Sequence, residues 1–517
     1  MLSRSKWSGN EFDGDGGIVL EPIIEPKEGV GIRGSKLTIV LVIILLVAVI
    51  LGVGLAPVFK NIEKSKAEFA ILLVEGQYEE AEALYEETGP FIPEIFRQRI
   101  LQPFTKELEA ELGRLTQEYL DGRAEFGQID TLLKIIDRLG VAPGNLARSK
   151  IIFDSEKASR KNNAQEAIAI IQDSLKDYPE DALLKAQLRK YQAQAATLVV
   201  YEGPIQHIFF HPLIAYPEMA FDGDRKSQGL NEFFVTVKEF DRIMNSLYDR
   251  GFILIDTHEI FEERIEGDKK VLTRKELRLP KDKKPLIISI DDINYYPYMI
   301  ENGMNHKLIL DEKGKIATYS VNPAGEEVIS YYNEIITMVD KFVEEHPDFS
   351  YKGAKGILAV TGFDGVLGYR TNDVSAPNYA SEKEQALAVI KQLKETGWFF
   401  ASHGYGHLDT RQRSFEDVAK DTQKWKLEVE PLVGPTDLYI YPYGSTVPTT
   451  DPKFKLLQQN GFNVFSGVGP REYLRYNTDS IVMDRRHMDG IAFWKQPETL
   501  KDLFEINDII DPARPPL

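Results

Sequence analysis

Two histidines stand four residues apart in the stretch FFASHGYGHLDT, residues 399–410. Imidazole nitrogens are ligands for zinc and related divalent ions, and this pair needs only a carboxylate to make a three-ligand site. On a helix an i, i+4 pair shares one face, but Gly404 and Gly406 each cost a helix about 1 kcal/mol. His403 and His407 are therefore expected in a tight loop that follows the apolar run before them. A second stretch, PLIISIDDINYY, ends an apolar run in Asp291 and Asp292. Adjacent carboxylates at a buried strand end repel each other and lose hydration, a cost that a cation or strong donors offset. One such aspartate could simply cap a turn; two point to metal binding or acid–base chemistry.

The surrounding elements must bring these stretches together. Beyond residue 200 short apolar runs (IQHIFFH, FILID, LIISI, GILAV, WFFAS, DLYIYPYG and NVFSGV) alternate with amphipathic stretches such as VKEFDRIMNSLYDRG and FEDVAKDTQKWKLEVEPL. Two helical stretches open on capping signals, Ser381 with Glu384 and Ser414 with Asp417. Repeated strand and helix predicts parallel strands joined by crossovers, closed or nearly closed into a barrel. In such barrels functional residues gather at the C-terminal ends of the strands, where the aspartate and histidine stretches both fall. HKLILDEKGKIATYS reads as an inserted hairpin turning at Lys313 and Gly314.

Upstream the organisation differs. Residues 1–36 are Gly-rich, poor in large apolar side chains and read as a mobile tail. Residues 37–56, LTIVLVIILLVAVILGVGLA, carry no charge, and at 1.5 Å per residue they match a hydrocarbon core of about 30 Å. We read residues 37–58 as one transmembrane helix, uncleaved because Pro57 follows the small residues. Residues 60–198 read as helical hairpins with a weak tetratricopeptide flavour, carried by Gly76, Tyr78, Ala81, Ala167 and Pro179. They would serve as a stalk or a site for a protein partner.

A net charge of −18 over 517 residues disfavours nucleic acid and anionic lipid surfaces. The absence of cysteine excludes disulfides, thiolate zinc sites and cysteine nucleophiles, leaving histidine and carboxylate as metal ligands.

Taken together, the strand ending in Asp291–Asp292, the HGYGH loop and the later YIYPYG resemble the motifs of the polysaccharide deacetylases of carbohydrate esterase family 4. Ile293 stands in place of the glycine after the aspartates, Gly404 in place of a hydroxyl residue, and Tyr439 where the family has an arginine. The resemblance spans about residues 205–495. It implies a distorted parallel (β/α) barrel over 201–517, with Asp292, His403 and His407 holding a divalent metal, most often zinc, and Asp291 as general base. It further implies the Tyr443 backbone N–H as oxyanion donor, after Pro442, and a late histidine as general acid. His487 is the candidate for that last role and His211 its rival. Arg370, Arg485 and Arg486 are candidates for the missing arginine, and Tyr295, with Tyr296 and Tyr298, for contact with sugar.

The expectation is a membrane-anchored bacterial hydrolase that removes N-acetyl, or secondarily O-acetyl, groups from a surface polysaccharide or peptidoglycan. Lys27, Arg33 and Lys36 before the apolar run balance Lys60, Lys64 and Lys66 after it, so the orientation (tail inside, single-pass, catalytic domain extracellular) follows from the substrate. The competing expectation is a degenerate barrel that binds glycan or acts as a tethered scaffold.

Overall fold

The computed structural model describes residues 62–88, 101–267 and 269–516. The tail and the apolar run 37–58 lie outside the described residues; among those, no helix is long and apolar enough to cross a membrane. The chain divides into two compact units, residues 1–111 with 132–143 and residues 112–131 with 144–517.

The described part of the first unit is helical. Helix Tyr78–Thr88 buries Tyr78, Ala81 and Tyr85, the three- and four-residue spacing that keeps side chains on one face. The rings of Phe69 and Tyr85 meet Phe104 edge-on at 5.0 and 5.6 Å.

In the second unit, helices Leu146–Arg160, Ala164–Asp177 and Ala182–Ala196 pack through Ile152, Ala167, Ile171, Leu184 and Tyr191. The turn after the first of them is tied to the barrel. Asn162, at φ 57°, donates from its side chain to the carbonyls of Asp348 and Ser350, and the Lys352 N–H donates to the Lys161 carbonyl at 2.7 Å.

The barrel has seven parallel staves: β1 (Gln206–Phe210), β2 (Lys284–Asp291), β3 (Gly356–Val360), β4 (Trp398–Ser402), β5 (Leu438–Ile440), β6 (Val464–Val468) and β7 (Ile481–His487). Each pairs with its neighbour in chain order, and β7 closes on β1 through Arg486 opposite Ile208 and His487 opposite Phe209. Alternation along the staves separates two cores. Ile287, Ile357, Ala359, Ala401, Ile440, Val464 and Met483 face one cluster inside the barrel. Ile288, Ile290, Leu358, Phe400 and Phe465 face another, with the surrounding helices. Ile260, Phe261, Leu272 and Leu277, on and beside the hairpin Phe261–Glu266 with Lys269–Arg274, join the inner cluster and cap the N-terminal end of the barrel.

Three local expectations are corrected. The run FILID forms Phe252–Leu254, which pairs with the first residues of β2, Lys284–Leu286, and bridges Ser350 through Leu254, and is not one of the seven staves. The seventh stave is Ile481–His487, whose three consecutive charged residues, Asp484, Arg485 and Arg486, hide it from an apolar pattern. Ser381 does not cap its helix, which starts at Tyr379; its hydroxyl instead accepts from Gln385 one turn on. Ser414 does cap helix Phe415–Glu428, accepting from the Asp417 N–H at 3.1 Å. The inserted hairpin forms from Lys307–Leu310 and Ile316–Val321, with a third strand, Glu327–Ser330.

Candidate active site at the C-terminal end of the barrel

Asp291 is the last residue of β2 and lies on its inner face. Alternation would send the next side chain outward, but Asp292 takes φ 58° and its carboxylate reaches the same site. His403 follows β4 and His407 ends the loop, itself at φ 50°. One ligand atom from each of Asp292, His403 and His407 lies within 4.8 Å of the others.

The loop is held by groups that can be named. His403 is 1 % exposed. Its Nδ1 lies 2.8 Å from the Ile440 carbonyl, and since a carbonyl only accepts, Nδ1 carries the proton and Nε2 keeps its lone pair. Asp421, on helix Phe415–Glu428, accepts from the N–H groups of Tyr405 and Gly406, both at 2.7 Å. Gly404 has φ 68°, and a Cβ there would stand 3.0 Å from the Asp421 carboxylate. This close approach accounts for glycine at that position.

Electrostatics divide the two aspartates. Arg485, on the inner face of β7 and fully buried, donates to both oxygens of Asp291 at 2.6 and 2.9 Å. Burial alone would raise the Asp291 carboxyl, but the Arg485 charge overrides it and holds the group far below the usual carboxylate range. Asp292 instead accepts from the Tyr296 hydroxyl at 2.9 Å, and that hydroxyl also meets the Thr361 hydroxyl at 2.7 Å. Burial pushes the His403 imidazole down to about 4, against the pull of Asp291, so it is neutral near pH 7. One carboxylate and two imidazoles, at least one of them neutral with its lone pair free, fit a divalent metal.

The remaining sequence candidates spread around this core. His487 and His211 flank the Phe209 ring at 6.3 and 5.9 Å, and the Arg485 guanidinium lies 4.2 Å over that ring. His487 meets Asp489 at 2.9 Å, and although burial opposes it, that carboxylate raises the imidazole above its ordinary value. His211 bonds through Nδ1 to the Phe233 carbonyl, which assigns that proton too. Pro442 opens a tight turn in which Tyr443 sits at φ 57°, its ring 4.4 Å from that of His407.

Arg370 donates to the carbonyls of Asn294, Asp364 and Tyr295, supporting the loop after the aspartates. Tyr295 is fully buried, and its hydroxyl donates to Glu334 at 3.0 Å. Arg486 is engaged with Gln206 and Asp502. Tyr439, in the place of the family's arginine, is buried among Tyr441, Phe462 and Phe465; the charge beside Asp291 comes from β7. Asp421 and Tyr296 are the contributors least visible beforehand. The first reads as a surface acid on an amphipathic helix, and the second is one of three nearly adjacent tyrosines.

No family model and no curated protein matches the chain. Two solved structures are similar to it. One is the Streptococcus pyogenes deacetylase PplD in complex with acetate, at 13 % identity and a TM-score of 0.30, covering 59 % of this chain and all of that one. The other is a protein from Mycobacterium smegmatis named as a candidate polysaccharide deacetylase, at 17 % identity and a TM-score of 0.20, covering 29 % of this chain and 44 % of its own.

Proposed function

We propose that the protein is a metal-dependent deacetylase acting on N-acetylated, or secondarily O-acetylated, sugars of a cell-surface polysaccharide or peptidoglycan. One observation carries this reading: Asp292, His403 and His407 converge beside a second, arginine-held carboxylate, Asp291, at the C-terminal end of a closed parallel barrel. Those three residues would hold a divalent ion such as zinc, which would supply Lewis acidity toward an acetyl carbonyl and lower the pKa of a neighbouring water.

The chain's own groups do the rest. Asp291 is ionised through the working pH range and accepts the proton of the attacking water; Arg485 fixes both of its oxygens and keeps it charged. The Tyr443 N–H donates to the developing oxyanion. His487, raised by Asp489, returns a proton to the departing amine, with His211, whose ring also meets Phe209, as the alternative donor. The scaffold reading rests on three altered motif positions, Ile293, Gly404 and Tyr439; at the last of them Arg485 supports the enzyme by carrying the charge from another stave. The uncleaved anchor at 37–58, with tail inside and barrel outside, completes the proposal, because the polymer lies beyond the membrane.

The test uses the full chain in mild detergent. Wild type should take up about one divalent ion and release acetate from chitooligosaccharides. His403→Ala and Asp292→Asn should lose the metal. Asp291→Asn should keep it while turnover falls about 100- to 10,000-fold. Unchanged metal content in His403→Ala would remove the site, and equal metal loss in both aspartate variants would leave the reaction without a base.

A further inference from the structure

Beside Asp292 three aromatic rings are stacked. The Tyr296 ring lies 4.8 Å from Phe363 at 22° and 6.1 Å from Tyr298 at 23°. The middle ring is buried, whereas Phe363 and Tyr298 are 38 and 39 % exposed. All three come from loops that follow staves at the C-terminal end, Tyr296 and Tyr298 after β2 and Phe363 after β3.

Exposed apolar surface costs about 25 cal/mol per Å² while it faces water, and stacked rings ordinarily belong in a core. Here the outer rings stand in water on top of a buried ring whose hydroxyl bonds a metal ligand. We propose that Phe363, Tyr296 and Tyr298 form a carbohydrate subsite built onto Asp292, which holds a pyranose ring of the glycan next to the sugar that is deacetylated. This inference rests on the deacetylase reading.

Three features select that occupant. The exposed rings of Phe363 and Tyr298, at the two ends of a near-parallel stack, offer apolar faces suited to the flat C–H face of a pyranose rather than to an acyl chain or a bulky side chain. The rim is polar: the Lys226 ammonium lies 5.9 Å from the Tyr298 ring centre and is paired with Glu301 at 3.1 Å, which offers a donor and an acceptor to ring hydroxyls. The platform is also continuous with the metal site. The Tyr296 hydroxyl in the stack donates to Asp292 at 2.9 Å. Tyr443, 69 % exposed, adds a ring beside His407.

The same stack gives Tyr296 a second role. Its hydroxyl occupies Asp292 Oδ1, while Oδ2 faces His407 Nε2 at 3.7 Å. Tyr296 is a positioning residue, fixing which carboxylate oxygen is turned toward the histidines.

These roles separate experimentally. In the full chain, Phe363→Ala and Tyr298→Ala should raise KM and the calorimetric Kd for chitopentaose about tenfold. Metal content, kcat and hydrolysis of para-nitrophenyl acetate, which carries no sugar, should stay at wild-type levels. Tyr296→Phe keeps the ring and should weaken metal binding about tenfold, with KM for chitopentaose unchanged at saturating metal. Unchanged chitopentaose affinity in both outer-ring variants overturns the subsite, as does a wild type that does not bind chitopentaose. A wild type that binds it, loses affinity in both variants and yet releases no acetate leaves the subsite standing and removes the deacetylase reading.

Discussion

Two clusters of aspartate and histidine lie in the barrel unit, and they titrate in opposite directions. At the C-terminal end His403 stands 3.8 Å from Asp291, yet burial prevails and its imidazole is pushed down to about 4. Away from that site, His258 lies between Asp256 at 2.7 Å and Asp437 at 3.0 Å. Burial also works against its charge, but the two carboxylates prevail and raise it to about 10. Both clusters pair imidazole with two aspartates, and burial together with direct hydrogen bonding decides between them. His403 is deeply buried, spends its Nδ1 proton on the Ile440 carbonyl and reaches Asp291 only at 3.8 Å, with His407 and, least of all, Arg485 opposing a charge on its ring. His258 has both carboxylates to itself and is a cation at neutral pH. One cluster keeps a lone pair available for a metal; the other ties the loop before the capping hairpin to the residue preceding β5.

The largest effect expected from breaking this contrast comes from Arg485→Met. It leaves Asp291 buried without its counter-charge, a loss of about 3–5 kcal/mol, read as a lower midpoint in denaturant unfolding of the full chain. Adding Asp291→Asn should recover part of that loss, since an amide leaves no uncompensated charge. A double variant no more stable than the single one would mean that Arg485 matters through its contacts with Ser289 and Gly467 and not through Asp291. A smaller and more selective effect is expected from Asp421→Ala. The Tyr405 and Gly406 N–H groups lose their acceptor, the histidine loop loosens, and metal affinity should fall about 10- to 100-fold with little change in the unfolding midpoint. Metal titration separates that outcome from a general loss of fold.

The same contrast explains what the chain discloses residue by residue. Six staves announce themselves as apolar runs because both of their faces are buried. Asp291–Asp292 is conspicuous because adjacent carboxylates contradict the run they end, and the bend needed to aim both at one site is present at Asp292. The seventh stave is silent for the complementary reason. Arg485 is acceptable inside the barrel only because its partner sits on β2, 194 residues away in sequence, a pairing that local pattern does not express. Asp421 is silent in the same way, its acceptors' partners lying on a loop 15 and 16 residues earlier. Among the tyrosines after the aspartates, the left-handed turn at Tyr295, φ 52°, decides the outcome. It sends Tyr295 inward to Glu334 and leaves Tyr296 on Asp292, and no propensity distinguishes the two beforehand.

The smallest effect belongs to the other cluster, where pH tests the contrast directly. The folded-state value of His258 lies above the roughly 6.5 of an unfolded histidine. Its contribution is therefore fully present below about pH 6.5, declines as pH rises, and is lost above about 10. The ring's side chain is 40 % exposed, so solvent screening holds the contribution to on the order of 1 kcal/mol. His258→Gln should lower the unfolding free energy by that amount at pH 6 and by much less at pH 10, while metal content and acetate release stay at wild-type levels at both. A stability gap that does not change between the two pH values would mean that the ring acts through its packing against Phe261 and Phe399 rather than through its charge. A loss of metal in the same variant would mean that this cluster and the catalytic one are not independent, and the contrast between them would lose its basis.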